Sequence, residues 1–472
     1  MEQALAKRDL VVIGGGAAGL VVASVSAQLG LKTTLIEKQP QLGGDCLHFG
    51  CVPSKALLRC AHVAGLLRKA SAFGFQAVVP QTDIRRVNAF IRTAVDKIQV
   101  HDSHERFRGL GCEVLNGEAR FVDAHGIMLG ENLIRSKRFV IATGSRPWIP
   151  PIDGLENIEY LTNEDMYSLD VLPPRLLVLG GGPVGVEMAQ SYARLGSRVT
   201  LVELEQRILP RSDPEISAVL ARQLETDGVE IKQDEVVRLR PAAGSIEAVL
   251  KSGAEIVADK LLIAIGRRAV VDGLGLDLAG VDFSERGIRV DARMRTSQRH
   301  IYACGDVTGL LPFTHVAEQQ AGIVIANAVF RLPKRIDYRV IPSVVYTEPE
   351  CAQVGVSADA IENDAGLRVI KFDMKDLDRA IAENATAGFV KLVVRKGRLV
   401  GAHVVGQHAG EIIHELALAV QQKMKLSTLT TLVHAYPSWS QVNRRAASRY
   451  FSDSLFSPKT KRLVRFINTW LP

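Results

Sequence analysis

Two cysteines, Cys46 and Cys51, stand five positions apart in the stretch Gly43-Gly44-Asp45-Cys46-Leu47-His48-Phe49-Gly50-Cys51-Val52-Pro53-Ser54-Lys55. A thiol pair can open and close as a disulfide, giving or taking two electrons. On a regular helix such cysteines would have Cα atoms about 8–9 Å apart, whereas a disulfide needs about 4.4–6.8 Å. The backbone must therefore tighten between them. Gly50, which is conformationally permissive, and Pro53, which lacks a backbone donor, are expected to supply the distortion. Residue type alone would equally fit two buried thiols. The context favours chemistry, because Lys55 places a cation four residues on, where it would stabilise a thiolate.

The elements that must position this pair can be read on either side of it. Leu10 to Ile13 is a short apolar run ending in Gly14-x-Gly16-x-x-Gly19, followed by a helical stretch to Leu29 and a second strand, Thr33 to Ile36, closing on Glu37. Strand, glycines, helix and terminal acid together make a dinucleotide-binding fingerprint. The glycines admit a pyrophosphate, the helix N-terminus faces it, and the carboxylate accepts from ribose hydroxyls. The unit occurs twice. Leu176 to Leu179, Gly180-x-Gly182-x-x-Gly185 and Val199 to Glu203 repeat it with the three glycines and the acid displaced by the same 166 positions. The sequence therefore predicts an α/β chain with two Rossmann-like domains.

Composition bounds the alternatives. The 472 residues are 47% hydrophobic and 23% charged, as expected of a soluble chain of two to four domains. The net charge of +7 is thin at this length, and no dense basic run or recognised motif indicates nucleic-acid binding. No apolar run reaches the length of a membrane span, and Met1–Asp9 lacks the apolar core of a secretory signal. Cys60, Cys112, Cys304 and Cys351 are scattered, so a reducing cytoplasm with one catalytic pair is expected, and no metal site.

The cysteine stretch, in this setting, resembles the redox-active disulfide of the FAD-dependent pyridine nucleotide–disulfide oxidoreductases, which include dihydrolipoamide dehydrogenase, glutathione reductase and mercuric reductase. The resemblance implies FAD at one fingerprint and a nicotinamide nucleotide at the other. Glu37 to Thr143 spans 106 positions and Glu203 to Ile265 only 62, so the first unit has room for the cysteine helix and is assigned the flavin. Phe139–Pro147, with Thr143, Gly144 and Ser145, and Leu261–Arg267, with Gly266 and Arg267, resemble the segments that close each nucleotide domain. Tyr302-Ala-Cys-Gly305-Asp306 resembles the motif whose aspartate holds the ribityl chain. Gly44, Asp45, Lys55, Ala119 and Ala317 are assigned to cofactor binding on the same basis. Lys55 and Glu187 match a lysine–glutamate pair beside the flavin, Cys51 the thiol nearest it, and Cys46 the thiol that meets substrate. Glu203 suits the free ribose of NADH and repels a 2′-phosphate, although Arg198 and Arg207 leave NADPH open.

From Ile341 onward the pattern resembles the family's C-terminal α+β interface domain, which implies a homodimer. The family's thiol–disulfide reductases carry a catalytic histidine and, five residues later, a glutamate that orients it. This chain has Tyr436 and Gln441 there. Tyrosine, with an ordinary pKa near 10, is a poor base at neutral pH. Soft metal ions need no proton relay, because thiolates bind them directly, and mercuric reductases share the tyrosine and another resembling Tyr160. The expected activity is NAD(P)H oxidation through FAD and the cysteine pair to a soft metal or other non-dithiol acceptor. Mercuric reductases usually also end in a cysteine pair and often begin with a metal-binding domain, and neither is read here. The alternatives are dihydrolipoamide dehydrogenase, with His434 replacing the missing base, and a non-catalytic nucleotide-binding sensor or assembly subunit.

The expected domains are FAD-binding, 1–155 and 275–338; NAD(P)-binding, 156–274; dimerisation, 339–452; and a basic amphipathic tail, 453–472. In the tail Leu463, Phe466, Ile467, Trp470 and Leu471 share one helix face, with Lys461, Arg462 and Arg465 largely off it. The stripe would pack on the interface domain or its dimer mate, or else make weak peripheral contact with an anionic membrane.

Overall fold

A computed structural model describes residues 8–470. The expectations for the first seven residues, and Leu471 of the tail stripe, lie outside the described residues. The chain divides into two compact units: one runs to Val202 and includes Asp234–Asp337, and the other comprises Glu203–Gln233 and the chain from Tyr338 onward.

The first unit holds both fingerprints. Strand β1, Leu10–Ile13, is buried at all four positions, as a strand in a parallel sheet covered on both faces must be. It pairs in parallel with β2, Thr33–Glu37, on one side and with Phe139–Ile141 on the other. Glu113–Asn116 and Ile301–Ala303 extend the sheet to five strands. Helix α1, Ala17–Gln28, makes the crossover between β1 and β2. The second fingerprint repeats this arrangement. Arg175–Leu179 lies between parallel strands Arg198–Glu203 and Lys260–Ile263, and the helix Pro183–Leu195 follows the glycines. Two antiparallel three-stranded sheets, 119–135 and 236–258, complete this unit.

The second unit is built on a five-stranded antiparallel sheet in the order Ser343–Val345, Glu350–Gly355, Arg398–Gly406, Phe389–Arg395, Leu367–Asp373. Helices Ala409–Gln421 and Gln441–Leu455 supply Ile412, Ile413, Leu416, Val442 and Ala446 to its core. The fold class is the one expected, two Rossmann-like nucleotide domains followed by an α+β domain. The tail forms a helix, Pro458–Trp470, but none of its residues is buried. Packing of its stripe on the interface domain of the same chain is therefore not what the structure shows. The helix starts where Ser457 Oγ accepts from Thr460 N at 3.2 Å and proline occupies the next position, leading the chain into a new helical segment.

Candidate active site

The cysteine pair straddles a break between two helices. Cys46 lies in the short helix Gly44–His48, and Cys51 opens the long helix Cys51–Lys69. Gly50, at φ −118° and ψ −113°, makes the break. A Cβ there would stand 3.0 Å from the Asp45 carbonyl oxygen and 3.2 Å from Cys46 Cα, so only glycine lets the segment fold back this closely. Pro53 does not share the task. It sits inside the first turn of the second helix, where its missing N–H would have had no intrahelical partner.

Both thiols are free, and a residue that sequence spacing gave no reason to select stands between them. The Thr314 hydroxyl donates to Cys46 Sγ at 3.1 Å and lies 3.2 Å from Cys51 Sγ. Thr314 opens the helix Thr314–Ala328. A hydrogen bond from Cys46, then the Thr314 hydroxyl and the Lys55 charge, lower the Cys51 pKa to about 6 against the opposing effect of burial. The same bond to Cys51, with burial and the Cys51 charge, pushes Cys46 up. One sulfur is thus set to be a thiolate at neutral pH while the other keeps its proton. Burial raises the remaining cysteines: Cys112 to about 11, Cys304 and Cys351 to about 12, and Cys60 upward.

Lys55 lies one turn beyond Cys51 and donates to both Glu187 oxygens, at 2.9 and 3.2 Å. Glu187 is 4% exposed, on the helix that follows the second fingerprint. The two fingerprints therefore contribute to a single site, one through the cysteine helix and the other through its glutamate. Burial, and next the Glu187 charge, hold the nearby Tyr167 phenol well above its ordinary range.

The glycines repeat not only in spacing but in conformation. Gly14 and Gly180 take φ of +108° and +103°, and a Cβ would lie 2.3 Å from the Ala142 oxygen and 2.6 Å from the Ala264 oxygen. At Gly19 and Gly185 a Cβ would sit 1.8 Å from the Gly14 and Gly180 oxygens, so each helix packs against its own strand end. The middle glycines face open space: Gly16 has only Gly44 Cα, 3.8 Å from its ideal Cβ, and Gly182 has nothing within 4 Å. Neither helix carries an acid in its first turn to repel a phosphate. Glu37 accepts from Gly15 N at 2.6 Å and Gln39 N at 2.8 Å; Glu203 accepts from Glu205 N at 2.8 Å. These features fit a dinucleotide diphosphate and ribose at both places.

A polar chain joins the first nucleotide site to the cysteines. Ser145 Oγ donates to Asp306 at 2.7 Å, and Arg267 Nε donates to Ser145 Oγ at 2.7 Å. Arg267 also pairs with Asp45 at 3.0 Å, immediately before Cys46. Asn163, another residue not selected from sequence, donates to Asp45 and, at 3.0 Å, to the Phe49 carbonyl in the helix break. Burial pushes the Asp306 carboxyl upward, with Ser145 and Arg267 opposing. Gly144 and Gly266 take positive φ beside this chain, and Ala317 faces Gly305. Thr143 is turned to the Val270 carbonyl at 2.7 Å. Ala119 is buried in the hydrophobic core with Phe121 and Ile127, so its side chain serves packing.

The remaining candidates lie in the second unit. Tyr436 is 71% exposed and Gln441 only 4%, and no hydrogen bond joins their side chains among the described residues. The buried Gln441 Oε1 has no hydrogen-bond partner in this chain. His434 is fully engaged, with Nε2 3.1 Å from Glu415 Oε2 and Nδ1 3.3 Å from the Leu432 carbonyl.

Comparison with known proteins matches residues 8–321 to the pyridine nucleotide-disulphide oxidoreductase family and 341–447 to that family's dimerisation domain. A mercuric reductase of Streptomyces lividans is 35% identical, covering 96% of this chain and 98% of its own. A dihydrolipoyl dehydrogenase of Bacillus subtilis is also 35% identical, covering 93% and 95%. Among solved structures, the Cu(II) complex of the HOCl-induced flavoprotein disulfide reductase RclA from Escherichia coli superimposes with a TM-score of 0.85 at 27% identity, covering 93% of this chain and 99% of that one.

Proposed function

The chain belongs to the pyridine nucleotide-disulphide oxidoreductase family, and from that premise we propose that its Cys46–Cys51 pair passes electrons from NADH to a soft metal ion. Members of the family are FAD-dependent NAD(P)H oxidoreductases that act on disulfides, and the dimerisation domain supports a homodimer. That membership displaces the reading as a non-catalytic sensor. Gly14, Gly16, Gly19, Glu37 and Asp306 would hold FAD, which when bound supplies the two-electron relay between nicotinamide and sulfur. Gly180, Gly182, Gly185 and Glu203 would hold the nicotinamide nucleotide, with the Glu203 carboxylate favouring a free 2′-hydroxyl.

The observation that carries the proposal is the unequal pair of sulfurs around Thr314. Reduction breaks the Cys46–Cys51 bond and leaves a thiolate on Cys51 and a thiol on Cys46. Lys55, held by Glu187, steadies the negative charge. Cys46, in the shorter helix, presents its sulfur to the acceptor, and both thiols bind a soft ion as thiolates. When the disulfide re-forms, two electrons leave. They reduce one Hg(II) to Hg(0), or two Cu(II) to two Cu(I), and the Cys46 proton is released. Tyr436 at the family's histidine position fits an acceptor that needs no base, and the named copper complex of RclA supports the same class.

Dihydrolipoamide oxidation is the second reading, favoured by the Bacillus subtilis relative. It requires a base, and both ring nitrogens of His434 are already engaged. Purified holoenzyme assayed with NADH and NADPH against Hg(II), Cu(II), lipoamide, glutathione disulfide and quinones separates the two. Metal-dependent NADH oxidation that is lost in Cys46→Ser supports the proposal. Lipoamide turnover that disappears in His434→Ala and survives Tyr436→Phe overturns it.

A further inference from the structure

The helix Pro458–Trp470 has thirteen residues and buries none of them. An isolated helix of this length is marginal in water, so a surface must cover its apolar face for it to persist. That face is continuous. Leu463, Phe466, Ile467 and Trp470 fall at i, i+3, i+4 and i+7, with the Phe466 and Trp470 rings 6.5 Å apart. Phe466 and Trp470 are 60% and 71% exposed. Lys461 and Arg465 fall on the opposite side and Arg462 on the flank, while Lys459 begins the helix. Asp and Glu are absent from the whole segment. Four of the seven excess positive charges of the chain are thus concentrated in this one helix.

We propose that this helix is an interfacial anchor that lies flat on an anionic lipid surface, its apolar face in the acyl boundary and its lysines and arginines among the headgroups. Charge decides against tail-to-tail pairing with a second copy. Symmetric pairing of two such helices would oppose two sets of four cations with no acid on either. An anionic headgroup layer offers the complementary sign along the whole helix, and Trp470 has the mixed character that suits the headgroup boundary.

The test is co-sedimentation of the full-length holoenzyme with phosphatidylcholine vesicles containing about one third phosphatidylglycerol, or none. The expected result is binding to the anionic vesicles alone, weakened about tenfold between about 50 and 500 mM salt. Phe466→Ser with Trp470→Ser should reduce binding about tenfold or more, as should Lys461→Glu with Arg465→Glu. The dimer and the rate of flavin reduction by NADH should be unchanged in both. Absence of binding at low salt, or equal binding by the variants, overturns the proposal. Dissociation of the dimer by the Phe466 and Trp470 changes without vesicle binding also overturns it, because a second copy would then be the covering surface.

Discussion

A thiol ionising near pH 6 beside one that keeps its proton makes the two cysteines chemically distinguishable in the reduced protein. Alkylation by iodoacetamide should therefore begin at Cys51, with a rate that rises through about pH 6 and falls below it as the thiolate is protonated. Peptide mapping of the first labelled site checks this, and first labelling at Cys46 would contradict it. Thr314→Val removes a hydrogen bond worth about 1.5–3 kcal/mol to a charged sulfur. At about 1.4 kcal/mol per pH unit, the midpoint should move up by about one to two units, whereas Thr314→Ser should leave it near the original value. Sequence reading identified both cysteines because their spacing carries the signal. Thr314 has no such spacing, being 263 positions from Cys51, and only the folded chain brings its hydroxyl to the sulfurs.

Elements were the most legible level, since a strand, a glycine turn and a helix in series leave few other structures open. The duplicated fingerprint predicted duplicated geometry, and φ at Gly14 and Gly180 differs by only 5°. Pro53 was misread because a proline near a helix start looks like a breaker until its position inside the first turn is known. The break falls at Gly50 instead, so Gly50→Ala should weaken the pair's geometry while Pro53→Ala should change it little. Gly185→Ala offers a sharper experiment. Its Cβ would lie 1.8 Å from the Gly180 oxygen and force the second helix away from its strand. Flavin content and dithionite reduction should persist, while reduction by NADH in stopped flow should slow about a hundredfold. Equal loss of flavin would show that the two sites are not separable.

At the scale of the whole molecule, the segment Glu203–Gln233 belongs to the same compact unit as the C-terminal sheet, an association no local sequence signal announces. A buried ion cluster ties them together. Lys391 Nζ reaches both Asp213 oxygens at 2.8 and 2.9 Å and Glu215 at 2.7 Å, and the Asp213 side chain is 1% exposed. Lys391→Met would leave Asp213 buried without its cation, at a cost of about 3–5 kcal/mol. A clear drop in the denaturation midpoint of this unit is the expected reading, and an unchanged midpoint would show that the cluster contributes nothing net. Tyr436 and Gln441 illustrate the other limit of legibility. Their types can be read from sequence, but one is exposed and the other buried with an unmet acceptor, so what each does depends on what lies beyond the single chain. The shared backbone of the two glycine turns carries one more consequence, in terms of descent. If both arose by copying one ancestral unit, the second half approximates that ancestor before the cysteine helix was inserted between Glu37 and Thr143. Redox chemistry would then be the later acquisition, added to a module that already bound nucleotides.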